Sequence, residues 1–115
     1  MGGRCAFLAN ATLPLAASVS YYGGNIAPAL LHRVPTLSGP QLLFWAGKDE
    51  RILPEHYRAV EDSLRAAGKR YASVVFSHAD HGFFSDERPV YDARAAAESW
   101  ELTLAFLRDY VIDKA

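Results

Sequence analysis

The chain has 115 residues, half of them hydrophobic, with 12 basic and 13 acidic side chains and a formal net charge of −1. That length holds one domain or part of one, and the apolar content is enough for a core. The charge balance and the absence of any Lys/Arg cluster argue against nucleic acid or an anionic membrane as partners, and a single Cys excludes an internal disulfide and suits a reducing, cytoplasmic setting.

Residues 2–10 can form a short helix with Phe7 and Leu8 on its apolar side. Residues 15–22, beginning with Leu15 and ending with Tyr22, are small and β-favouring and stop at Gly23-Gly24, which predicts a buried strand. Residues 11–31 carry no charge, but their Asn, Ser, Pro and paired Gly mark turns and strands, so no membrane span is expected. No signal peptide is expected either, because Arg4 interrupts the start. A short helix is expected over residues 27–32, then a loop with Pro35 and Gly39.

Residues 41–46, Gln-Leu-Leu-Phe-Trp-Ala, form an apolar run between Pro40 and Gly47, the pattern of a strand covered on both faces. Trp45 is accordingly assigned to the core. Pro54 and Glu55 suit the first turn of a helix. Tyr57, Val60, Leu64 and Ala67 give it one apolar face, and Gly68 ends it. Residues 70–77 predict a third strand, centred on Val74, Val75 and Phe76. Asp92 is a good N-cap for a last helix. There the spacing of Ala93, Ala97, Trp100, Leu104, Leu107 and Val111 predicts the buried face. Alternating helices and strands predict an α/β fold: a three-stranded parallel sheet flanked by helices, with right-handed crossovers, in a single unit over residues 1–115.

Open parallel sheets bind ligands beyond the C-terminal ends of their strands. Asp49 stands three residues past the second strand and His81 a few residues past the third, so both fall on that edge. An acid–base pair needs this arrangement: a carboxylate holds one imidazole nitrogen so that the other faces a nucleophile. Taken singly, each residue is equally a turn or cap residue. Met1-Gly2-Gly3 reads as the end of a nucleophile elbow, the strand-to-helix turn that presents a catalytic Ser or Cys.

Together these segments resemble the dienelactone hydrolase (carboxymethylenebutenolidase) family of α/β-hydrolases. Met1-Gly2-Gly3 is similar to the end of its Gly-x-Cys-x-Gly-Gly elbow. Residues 46–52, Ala-Gly-Lys-Asp-Glu-Arg-Ile, resemble its acid loop. Residues 79–84, Ala-Asp-His-Gly-Phe-Phe, followed by Asp86-Glu87-Arg88-Pro89 and Tyr91-Asp92, resemble its histidine loop. The resemblance implies a partial α/β-hydrolase fold, the C-terminal half, and an ester- or lactone-hydrolysing Cys/Ser-His-Asp triad. It makes Asp49 the acid and His81 the base, with no cofactor. The nucleophile position falls just before Met1, so the chain by itself is expected to be inactive: a truncated module acting by association, or half of a hydrolase completed by another chain. The backbone N–H of Met1 would be an oxyanion donor. Arg88 would clamp an anionic substrate or, equally, pair with Asp86 or Asp92.

Cys5 sits about one turn into the first helix, away from the elbow tip, and is assigned to the core rather than to nucleophilic attack. Ser18 and Ser20 read as packing residues, Ser85 lacks elbow geometry, and Asp80 is expected to point to solvent. His78 reads as a surface-loop residue. His32 and His56 have no partners at metal-ligand spacing, so no metal site is expected. Residues 15–22 would present an uncharged strand edge, which predicts homo-oligomerisation through that strand.

Overall fold

The computed structural model describes residues 2–24, 26–27, 29–83 and 92–112. Its elements run α1 (Gly2–Thr12), β1 (Ser18–Tyr21), a 3-10 turn (Leu31–Thr36), β2 (Gln41–Ala46), α2 (Pro54–Ala66), β3 (Tyr71–Phe76) and α3 (Ala93–Leu107), with a π-helical turn at Arg108–Ile112. The strands form one parallel sheet in the order β1-β2-β3. Ser18 is in register with Gln41, and Gln41 with Tyr71, so all three strands end near one edge. This is the expected three-stranded parallel sheet flanked by helices.

β2 is the central strand, and all six of its residues are buried. Leu43 and Trp45 face a core with Phe7, Ile26, Val34, Val60 and Leu64, under α1 and α2. Leu42, Phe44 and Ala46 face a second core with Phe83, Ala95 and Phe106, under α3. The Trp45 indole N–H donates to Ser73 Oγ, so burying the ring orphans no polar group.

A buried polar line crosses the first core. Asn10 Nδ2 donates to Gln41 Oε1 and to the Gly39 carbonyl, and Asn10 Oδ1 accepts from the Gly39 N–H. Gln41 Nε2 donates to Ser20 Oγ, and Ser20 Oγ donates to the Gly3 carbonyl at 2.8 Å. Ser18 Oγ likewise donates to the Ala6 carbonyl. The two strand serines therefore clamp α1 onto β1 by hydrogen bonds; they do more than fill space.

Several expectations need correction. β1 is shorter than residues 15–22, because Pro14 and Leu15 lie in a turn held by Ser38. The helix expected over residues 27–32 is instead the 3-10 turn that starts at Leu31. Cys5 is exposed, not core. On α2, Val60 and Leu64 are buried as predicted while Ala67 is exposed, and Gly68 ends the helix with a φ of +69°.

The largest correction is α3, which packs through a face rotated away from the predicted one. Ala95, Ala96, Ser99, Thr103 and Phe106 are buried, whereas Trp100 is 50% exposed and Leu104 41%. Small side chains let the helix lie close to the sheet. The Ser99 and Thr103 hydroxyls are satisfied by the Ala96 and Ser99 carbonyls, which removes the cost of burying them. Tyr21 Oη lies 3.0 Å from Thr103 Oγ1 and ties this face to β1. Asp92 does cap α3: its Oδ1 accepts from the Ala95 N–H. No helix among the described residues is long and apolar enough to cross a membrane.

Candidate active site

Parallel register brings the loops after β2 and β3 together. Gly47 N–H donates to the Phe76 carbonyl and Lys48 N–H to the Ala79 carbonyl, so the two loops are laced backbone to backbone. Asp49 follows in the first loop and His81 in the second. The Asp49 side chain is 1% exposed. Its Oδ1 accepts from the Arg51 N–H at 2.7 Å and the Ile52 N–H at 3.0 Å. That fixes the carboxylate plane and leaves Oδ2 for the imidazole.

His81 Nδ1 lies 2.6 Å from that oxygen, the short distance of a charge-assisted hydrogen bond. A carboxylate can only accept, so Nδ1 carries the proton and donates it, and in the neutral ring Nε2 is the basic nitrogen. Nε2 makes no hydrogen bond to a described residue. The His81 side chain is 23% exposed, open enough to meet a reactant. Gly82 follows with a φ of +86°, a turn that suits glycine.

Both residues predicted as acid and base are thus brought together at the C-terminal edge of the sheet. Asp80, their neighbour, is exposed, as is His78. Met1 and Arg88, expected as oxyanion donor and substrate clamp, lie outside the described residues, as does Ser85. His56 is occupied locally: its Nδ1 accepts from the Leu53 N–H at the start of α2. Among the described residues no group of three or more His, Cys, Asp or Glu could hold a metal ion.

A buried acid that orients a base on neighbouring strand-end loops of a parallel sheet is the arrangement of an α/β-hydrolase. The model of the dienelactone hydrolase family matches residues 1–111. The chain belongs to the dienelactone hydrolase family. Relatives include predicted carboxymethylenebutenolidases of Yersinia pestis, 35% identical over 111 residues, and of Escherichia coli K12, 31% identical over 117 residues. These alignments take in 90% and 95% of this chain but 42% and 43% of the relatives. A crystal structure of a predicted dienelactone hydrolase from Klebsiella pneumoniae superposes with a TM-score of 0.87 at 30% identity, over 94% of this chain and 48% of that one. A dienelactone hydrolase-like promiscuous phosphotriesterase from metagenomic libraries gives a TM-score of 0.74 at 25% identity, over 90% of this chain and 46% of that one. The chain therefore spans less than half the length of the dienelactone hydrolase relatives it matches.

Sequence reasoning missed one contact at this candidate site. The Tyr22 ring packs on the His81 imidazole, with centroids 4.9 Å apart. The available signal is a tyrosine pair directly before Gly23-Gly24 at a strand end.

Proposed function

We propose that this chain carries the acid–base half of an ester or lactone hydrolase, with His81 as general base and acid and Asp49 as its orienting carboxylate. The observation that carries this reading is the 2.6 Å contact between His81 Nδ1 and a buried Asp49 oxygen whose carboxylate partner is held by two backbone N–H groups. In the family's elbow, the nucleophilic Cys or Ser stands just ahead of the residue matched by Met1. His81 Nε2 takes its proton as it attacks the substrate carbonyl carbon. The resulting oxyanion is held by backbone N–H groups, that of residue 1 among them. The carbon–oxygen bond to the leaving alcohol breaks as Nε2–H returns the proton to the leaving oxygen. Water, deprotonated by the same nitrogen, then attacks the acyl carbon; the bond to the nucleophile breaks as Nε2–H returns the proton to it, and the acid is released. By the family resemblance of its loop, Arg88 would hold a substrate carboxylate or, equally, pair with Asp86 or Asp92, and the single Cys suits a cytoplasmic setting.

The chain by itself is proposed to lack this activity. Among the described residues no hydroxyl or thiol hydrogen-bonds to His81, and Cys5 lies exposed on α1. The test combines the chain with the elbow-bearing segment of a relative and follows p-nitrophenyl acetate hydrolysis. Activity should appear only in the combination and vanish with His81→Ala. A burst from the chain alone, abolished by Cys5→Ala, would make Cys5 the nucleophile and end this reading.

A second proposal concerns assembly. Within the described sheet, β1 pairs only with β2, and Ser18–Tyr21 carries no charge to guard its other edge. The chain would associate with a second copy or with a complementing segment along that edge. Light scattering over micromolar concentrations should show more than a monomer, and Val19→Lys should reduce it.

A further inference from the structure

Tyr22 has a φ of +37°, the only positive φ among the described non-glycine residues. That region is costly for a bulky side chain, and such costs collect at functional sites. Its effect here is specific. Strand residues alternate between faces. Ser18 and Ser20 face α1, and Tyr21 faces α3. Continued alternation would send Tyr22 toward α1. The left-handed turn brings its ring over the end of the sheet, where it packs against both cores, beside Tyr21 (6.0 Å between centroids), against Phe83 (5.2 Å) and next to His81 (4.9 Å, planes at 53°). The Tyr22 N–H still donates to the Phe44 carbonyl at 2.7 Å, so the last ladder bond pins the residue at the bend.

The imidazole therefore has two restraints. Asp49 fixes Nδ1 in position, but one hydrogen bond leaves the ring free to swing about it. The Tyr22 ring, tilted against the imidazole and held edge-on by buried Phe83, closes that swing on one side. We propose that Tyr22 is a positioning residue for His81: the strained backbone presents an aromatic wall that holds the imidazole in the Nδ1–H tautomer and orientation that direct Nε2 outward. This rests on the acid–base reading above.

Nitrogen-15 NMR of the His81 ring in the 115-residue chain tests it without needing hydrolytic activity. The unaltered chain should show a protected Nδ1–H proton, a single tautomer and nuclear Overhauser contacts from the Tyr22 ring to the His81 ring protons. Tyr22→Phe should keep all three. Tyr22→Leu should lose the protected Nδ1–H signal and mix tautomers while the β2 amide resonances stay in place. A merely structural role for Tyr22 would leave the tautomer unmoved, and an unchanged Nδ1–H signal in Tyr22→Leu overturns the proposal. If Tyr22→Leu does not fold, the unaltered chain decides, because absence of the Tyr22–His81 contacts overturns it and their presence supports it. Asp49→Asn separates the two readings: a Nδ1–H signal indifferent to that change shows that the acid–base pair has failed, whatever Tyr22 does.

Discussion

Gly47 lies against the backbone of Ser77 so closely that a Cβ on Gly47 would stand 2.5 Å from Ser77 Cα and 2.7 Å from its carbonyl oxygen. Neither atom can move aside as a side chain could. This contact sits where β2 and β3 release the loops that carry Asp49 and His81. Gly47→Ala should destabilise the chain by about 1–3 kcal/mol, as overpacking does. It should also spread the two loops, weakening the Asp49–His81 contact. Thermal unfolding followed by circular dichroism checks the first effect; an unchanged melting temperature would contradict it.

Asn10→Ala should be costly for a different reason. It strips partners from Gln41 Oε1, the Gly39 carbonyl and the Gly39 N–H, and the first of these belongs to a fully buried side chain. A buried polar group left unsatisfied costs about 1–3 kcal/mol. Urea unfolding should show the midpoint falling with little change in slope, the mark of lost native stability.

Asp49→Asn in the complemented enzyme should lower kcat on the order of 10⁴-fold with KM little changed, because an amide can donate to Nδ1 and favour the wrong tautomer. His81→Ala should cost about as much, and the double variant should add little, since members of such a unit are not additive. Steady-state kinetics of the three variants check this. Additive losses would mean that the two residues do not act together.

The rotated face of α3 predicts a contrast between neighbouring positions. Leu104→Gln, on the outward side, should change stability by no more than about 0.5 kcal/mol. Ser99→Leu, on the side against the sheet, should cost about 1–3 kcal/mol through overpacking. The periodicity-based assignment would reverse the order, so two chemical denaturation curves distinguish the alternatives.

That helix also shows where the sequence stopped being legible. Helical period locates an apolar stripe, but it does not say which stripe meets the sheet. Two were present, and close approach selected the smaller residues: Ala95, Ala96, Ser99 and Thr103 over Trp100 and Leu104. β2 was legible to the residue because Pro40 and Gly47 bound a run of six residues, too short for a helix and apolar from Leu42 to Ala46. Asp49 and His81 were legible because strand order alone puts both at one sheet edge, and the geometry then joined them. Tyr22 was not, since nothing in a Tyr-Tyr-Gly-Gly string reveals which tyrosine takes the left-handed turn. The roles of Ser18 and Ser20 also needed coordinates, because a small polar residue in a strand reads equally as filler or as donor.

The buried line through Gln41 bears on how β2 knows its orientation. All six residues of this strand are buried, so hydrophobicity does not distinguish one face from the other. Turning the strand over, or sliding it by one residue, would exchange Leu43 and Trp45 for Leu42 and Phe44 at little loss of apolar burial. It would also swing the Gln41 amide away from Asn10 and Ser20 toward the aromatic side of the molecule, breaking both hydrogen bonds. A single glutamine thus serves as proofreading for strand placement. Gln41→Leu would be expected to preserve compactness while admitting misregistered forms, visible as doubled amide resonances along β2.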